Sequence, residues 1–440
     1  MPASLTFDVS ELIDTQPLGA FQVRIVALCA LVALLDSLDL QSIGLAAPAM
    51  IADLQISPAS LGAVFSAALA GLALGAFSLG LLADRVGRKT VLVGATVCFG
   101  VFTICTALAP NLNVLLGYRF FTGLGLGGAM PSFITLASEY VPRRLRAKAV
   151  ALLWAGFPLG GVVGGLLGSW IIPALGWHSV FWVGGVLPLL LSAVLALALP
   201  ESVGFLVTQG APAERIRRLL KKAFPAASMP ADAKFVLNEE RASGASVLRL
   251  FAMGRGIGTT VLWISFFIVF MMLVTNSAWA PTLLKREGLE IGQSAIAMAV
   301  YNLGAMIGTV AAGWLVIWLG AGIILPLAMV GSAVALGSVG YAAPSALLVT
   351  TLEGLFGLFL GCGSSGLIAL AAIYYPTAIR STGVGWAMGM GRVGSFVGPL
   401  AVGSLVAVGL STVEVFVAIG LPALVAAATT AIAGRRQNMA

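Results

Sequence analysis

Twelve apolar runs follow one another along nearly the whole chain, each long enough for the roughly 20 residues a helix needs to cross a bilayer. Split at polar or Pro/Gly breaks, they predict spans near 22–50, 58–82, 90–109, 112–139, 147–172 and 178–199, then 257–284, 292–318, 321–342, 345–374, 380–409 and 412–433. Only 9% of residues are charged, against roughly 25% in soluble proteins, so a water-soluble fold is excluded. A transmembrane β-barrel is excluded as well, because polar residues do not recur at every second position. The one long polar stretch, 200–254, carries Arg215, Arg217, Arg218, Lys221 and Lys222, then Glu239, Glu240 and Arg241, and reads as a central cytoplasmic loop with one short amphipathic helix.

The net charge of +7 does not point to nucleic acid, because the basic residues are spread over the loops between spans and not over one soluble face. Cytoplasmic loops retain Lys and Arg. Of the 24, Arg119 and Arg392 lie inside spans and Lys285 and Arg286 follow the seventh; the other 20 share one side if both termini are cytoplasmic. Asp8, Glu11 and Asp14 precede the first span, the opposite of a basic signal-peptide leader, so that span is expected to be retained. Cys29, Cys98, Cys105 and Cys362 lie within apolar runs without CxxC spacing, and His178 is the single histidine; neither a disulfide nor a metal site is expected.

The chain repeats itself at an offset of 234: Arg119, Gly123, Leu124, Leu126, Gly127, Pro142 and Arg146 align with Glu353, Gly357, Leu358, Leu360, Gly361, Pro376 and Arg380. Gly160 and Gly164 likewise fall on Gly394 and Gly398. The expected fold is thus an all-α polytopic membrane protein whose 12 transmembrane helices form two six-helix pseudo-repeat bundles, 1–199 and 255–440. Parallel repeats of this kind enclose a cavity near the bilayer midplane, as rocking-type secondary transporters do.

Ionisable groups inside a span cost about 2.5 to 3.5 kcal/mol each, so each is a candidate for function. Asp36 and Asp39 are three residues apart, on one face of the first span, and repel each other in a low-dielectric site, so they are expected to titrate as a coupled unit. A fixed ion pair of either with Arg119 is the structural alternative. Arg392 has no acid in its own span, so its partner comes from another helix or from an anionic ligand, whose carboxylate a guanidinium matches bidentately. Trp386 either flanks a ligand ring or simply packs. Glu353 is either a second proton site or a vestibule residue. Asn276, Tyr301, Asn302, Ser364 and Ser365 are candidates for reading ring hydroxyls. The GxxxG pairs at Gly71/Gly75, Gly123/Gly127, Gly304/Gly308 and Gly394/Gly398 predict close helix approach. His178 reads as an interfacial residue. The formal GxGxxG at Gly123, Gly125 and Gly128 lies in an apolar span with no preceding strand, so it is not a nucleotide site.

Residues 80–89, GLLADRVGRK, resemble the loop between helices two and three of the major facilitator superfamily, and RFFTGLGLGGAMP from Arg119 resembles its helix-four motif. The resemblance implies a gating loop of Gly80, Asp84, Arg85, Gly87, Arg88 and Lys89. The corresponding second-half stretch from Gly313 has lost its charges. A narrower resemblance, carried by DSLDLQSIG from Asp36, YYPTAIRSTGVGWAMGMGRVGSFVGP from Tyr374 and the run around Trp177, is to the aromatic acid:proton symporters of the 4-hydroxybenzoate and benzoate permease type. It implies a monomer in a bacterial inner membrane that imports a small aromatic carboxylate for catabolism by alternating access, with protons as coupling ion and no cofactor. Asp36, Asp39 and Arg119 would then serve proton coupling, with Arg392 and the Asp36/Asp39 pair at the substrate. The glycine-rich fifth span, GFPLGGVVGG from Gly156, also looks like a motif of drug antiporters, which keeps a proton-coupled exporter of drugs or other organic solutes as the alternative. An intramembrane enzyme is not supported, since there is no HExxH and no paired nucleophile and base. The repeat and the buried charges of both signs argue against a channel.

Overall fold

The computed structural model describes residues 6–225, 234–236, 247–252, 254–376 and 379–437, the last three as backbone only. Glu239, Glu240 and Arg241 of the central loop lie outside the described residues. In chain order the helices are α1 (Val9–Thr15), α2 (Ala20–Asp53), α3 (Leu61–Val86), α4 (Arg88–Ala107), α5 (Leu112–Glu139), α6 (Arg143–Leu175) and α7 (His178–Ala198). Two short helices, α8 (Val203–Thr208) and α9 (Ala213–Ala223), occupy the central segment. The second half comprises α10 (Gly256–Arg286), α11 (Ile291–Leu319), α12 (Ala321–Ala342), α13 (Ala346–Tyr374), α14 (Arg380–Ala407), α15 (Thr412–Gly420) and α16 (Pro422–Gln437). Eleven spans are long and apolar enough to cross on their own, α15 and α16 together making the last; the charged α2, 34 residues long and set at 100° to α1, makes the twelfth.

Among the described residues, the expected amphipathic helix of the central loop is α9, and a second short helix, α8, precedes it. Gly210, at φ +65°, and Pro212 interrupt the helical run, because Pro removes a backbone donor and Gly alone takes the left-handed turn readily. Gln22 Nε2 of α2 donates to the Ala223 carbonyl at 2.9 Å, holding the end of α9 against the first half. The fold is not purely helical either: β1 (Thr6–Asp8) and β2 (Lys234–Val236) pair in parallel, joining the chain's start to the central segment.

The glycine pairs do the same work in both bundles. Gly71 and Gly75 of α3 lie on the backbone of α5, whose Gly123 and Gly127 lie on α3. Gly304 and Gly308 of α11 meet Gly357 and Gly361 of α13 in the same way. A Cβ at any of these positions would strike a carbonyl oxygen, so the helices approach as closely as backbones allow.

Between the bundles, contact is concentrated on the side away from the chain termini. Gly44 of α2 lies on Ser277 and Ala278 of α10, Gly62 of α3 on Pro399 of α14, and Gly165 of α6 on Ala295 of α11. Phe65 packs edge to face on Trp279 with centroids 5.7 Å apart, and Trp279 Nε1 donates to the Pro399 carbonyl at 3.1 Å. One apolar core runs from this end of the first half, Ile43–Met50 and Leu61–Phe65, into the second half without a break. On the termini side the first half has a core of its own, and Gly385 and Gly389 of α14 meet nothing within 4 Å. The halves are closed at the far side and part toward the termini.

Candidate functional site

Asp39 and Arg119 form a closed pair inside the first half. Arg119 Nη2 reaches Asp39 Oδ2 at 3.2 Å and both side chains are fully buried. Thr103 of α4 donates to Asp39 Oδ1 at 2.6 Å, and the Phe181 ring of α7 lies 5.9 Å from the guanidinium carbon. Each charge has the other as its counter-ion, and a hydroxyl and a ring face complete the surroundings, which offsets part of the cost of burying them.

Asp36, three residues earlier, is left out of that pair. It is buried, makes no hydrogen bond with its Oδ1, and lies in the electrostatic field of Arg392 from the other half. Arg392 sits half-buried near the middle of α14 and donates to the Met130 thioether of α5 at 3.1 Å. Thioether sulfur is a weak acceptor, and among the described residues no carboxylate stands within 4 Å of this guanidinium.

On the far side of Asp36, Gln41 and Asn302 clasp the two halves. Asn302 Nδ2 donates to Gln41 Oε1 at 2.8 Å and Gln41 Nε2 returns a bond to Asn302 Oδ1 at 3.2 Å. Their remaining N–H groups go to the Met298 carbonyl and to Ser37 Oγ. All four amide hydrogens are committed, so in this conformation Asn302 holds the halves together and has no donor left for a ring hydroxyl. Gly161 of α6 lies directly against this pair, where a Cβ would collide with both amides.

In the second half, Asn276 Nδ2 of α10 donates to Glu353 Oε2 of α13 at 2.8 Å, with both residues fully buried. Glu353 is therefore not a vestibule residue. Tyr301 is buried beside it and stacks on Phe356 with centroids 5.5 Å apart. Ser364 is half-buried and bonds its own helix at the Gly361 carbonyl, with Ser365 also half-buried beside it. Trp386 stacks on Trp263 with centroids 5.8 Å apart, six residues nearer the termini side than Arg392. Six residues are about 9 Å of rise and leave the two side chains on different helix faces, so Trp386 does not flank Arg392. His178 stands at the far surface, 3.6 Å from Asp53.

The loop between α3 and α4 is built around an acid that sequence reasoning missed. Glu201 Oε1 accepts from the Lys89 amide at 3.0 Å, Gly87 turns at φ +104° against the same carboxylate, and Tyr140 donates to the Glu201 carbonyl at 2.6 Å. Glu201 thus supplies a carboxylate to the start of α4, where helix donors are free. Its only sequence signal is an acid directly after Pro200 at the end of a span. Asp84 pairs with Arg88 of its own loop at 2.9 Å; Arg85 is exposed, and Gly80 has space around it. Gln41 and Met130 were missed too.

The sequence profile of the Major Facilitator Superfamily matches residues 29–399. The chain belongs to that superfamily. Along nearly its whole length it is similar to aromatic acid permeases: it is 38% identical over 435 residues, 99% of this chain and 97% of the relative, to the 4-hydroxybenzoate transporter PcaK of Pseudomonas aeruginosa. To the gallate transporter of Pseudomonas putida it is 35% identical over 427 residues, 97% of this chain and 95% of the relative. Among solved structures, a bacterial homolog of the human lysosomal transporter Spinster shares the fold with a TM-score of 0.73 at 16% identity, covering 96% of this chain and 99% of that one. This is a multi-pass membrane transporter and not an enzyme, and a small molecule is its substrate.

Proposed function

We propose that this transporter imports an aromatic carboxylate of the 4-hydroxybenzoate kind together with protons, by alternating access, across a bacterial inner membrane with both termini in the cytoplasm. The observation that carries the reading is Arg392, a guanidinium placed midway through α14 where the halves part, with a thioether as its one hydrogen-bond partner among the described residues and Asp36 in its field. The names of the relatives supply the substrate class.

The substrate carboxylate and Asp36 compete for one guanidinium. A proton taken by Asp36 frees Arg392 for the anion, and an anion on Arg392 makes the proton on Asp36 easier to hold, so the two bind cooperatively. Asp39 is engaged by Arg119 and serves to fix the helix that carries Asp36. One proton with a monoanion is electroneutral; a second would add about 2.3 kcal/mol per 100 mV of membrane potential.

The test is uptake of labelled 4-hydroxybenzoate and benzoate into proteoliposomes under an inward proton gradient. Gradient-driven accumulation that rises as the outside is acidified and is lost in Asp36→Asn and Arg392→Gln is expected. Proton-driven efflux of organic cations, with neither acid taken up, would replace this reading by an exporter.

A further inference from the structure

Past the clasp of Gln41 and Asn302, α6 carries two aromatic side chains toward the space where the halves part. The faces of this helix have distinct neighbours. Gly156, Gly160 and Gly164 lie on α2, and Gly161 and Gly165 meet Asn302, Ala295 and Ala299 of α11. Leu152, Leu159, Leu166 and Trp170 are exposed and mark the lipid side. Trp154 and Phe157 lie seven and four residues before Gly161, spacings that keep them on the face that α6 turns toward the second half. They stand on the termini side of the clasp, and each is half-buried.

The two rings stack with centroids 5.3 Å and planes 28° apart. Ser37 of α2, next in sequence to Asp36, donates to the Phe157 carbonyl at 2.6 Å, so the pair is fixed beside the helix segment whose acid lies in the field of Arg392. The Trp154 indole N–H makes no hydrogen bond among the described residues and, unlike that of Trp263, is not enclosed. A buried indole usually finds an acceptor; this one keeps its donor unused. Among other stacked pairs, Tyr301 and Phe356 are sealed, and Trp314 and Trp318 are largely exposed along α11. Trp386, stacked on Trp263, stands on a different face of α14 from Arg392.

We infer that Trp154 and Phe157 form the wall that receives the substrate's aromatic ring while Arg392 holds its carboxylate, an assignment that rests on the transport reading above. The first half then holds the ring and the second half the anion. A ligand that touches both halves binds more tightly where they stand closer, and such differential affinity is how a substrate shifts a conformational equilibrium. A saturated ring of similar size has no π face to set against the pair and gains less from it.

The experiment compares benzoate with cyclohexanecarboxylate, which share the carboxylate and differ in the ring. In proteoliposomes, KM is measured for labelled benzoate and the inhibition constant for cyclohexanecarboxylate against it. Wild type is expected to prefer benzoate. In Trp154→Leu the benzoate KM should rise about three- to tenfold, the range one aromatic contact supports, while the cyclohexanecarboxylate constant stays within about twofold, so that the preference disappears. Phe157→Leu should act in the same direction, and Trp154→Phe should retain the preference. The cyclohexanecarboxylate constant reports in each variant that the anion site and the fold are intact. A wild type that does not prefer benzoate, or a preference that survives both leucine variants, would overturn the ring wall and leave the transport reading standing. Uptake of no aromatic acid by the wild-type protein would overturn both.

Discussion

Arg119 in the first half and Glu353 in the second occupy equivalent places in the repeat, on the same helix of each bundle and next to the same interlocked glycines. Both are fully buried. The first is met by a charge, Asp39 of α2; the second by an amide, Asn276 of the equivalent helix α10. The backbone has kept its symmetry while the chemistry at its centre has diverged. An ion pair that is complete within one bundle can be carried through a rigid-body rotation with its partners unchanged. Among the described residues, the side chain that hydrogen-bonds the acid of the second half is a neutral amide. The difference teaches that equal burial at equivalent places does not mean equal chemistry; what differs is whether the partner carries a charge.

The comparison breaks most visibly under Arg119→Leu, which strands Asp39 with one hydroxyl donor and is expected to destabilise the protein by about 3 to 5 kcal/mol. Glu353→Gln should cost under about 1 kcal/mol, since a glutamine oxygen still accepts from Asn276 Nδ2. Thermal unfolding in detergent micelles measures both, and equal losses would contradict the contrast between the halves. Next in size, Gly123→Val and Gly357→Val place methyl groups against a facing backbone and should each cost about 1 to 3 kcal/mol. Equal shifts in the same melts would sharpen the statement that the scaffold is symmetric. Arg392→Lys keeps the charge and loses the fork, so KM for the aromatic acid should rise about tenfold, worth about 1.4 kcal/mol, with unfolding unchanged; initial uptake rates against substrate concentration show it. The smallest effect belongs to Asp84→Asn. The Asp84 side chain is 66% exposed in its pair with Arg88, and the melt should move by no more than a surface pair contributes, about 0 to 1 kcal/mol.

The spans were legible because the hydrocarbon thickness fixes their length, and most helix ends fall within a few residues of the apolar-run ends. The interlocked glycines were legible for a related reason, since spacing four apart is a helical signal. Which charges meet was not. Gln41 and Asn302 are 261 positions apart, and no local periodicity relates residues on different bundles. Asn302 looked like a reader of substrate hydroxyls because an amide inside a membrane usually has work to do; its work here is to clasp Gln41. Trp386 was open between flanking a ligand ring and packing, and its stacking partner, Trp263, lies 123 positions away on another helix, beyond the reach of any local pattern. Glu201 escaped notice because it lies just outside a span, where an acid is unremarkable until Gly87 and Lys89 are seen to fold onto it.

The parallel pairing of Thr6–Asp8 with Lys234–Val236, together with the bond from Gln22 to Ala223, straps the connecting segment onto the first bundle. Up to Val236 the connector is in that sense held by the first half, while Leu250, whose carbonyl accepts from Thr259 of α10, is held by the second. For anyone wishing to cut the protein in two and express the pieces side by side, the place to cut is after Val236, where the first piece keeps its strap.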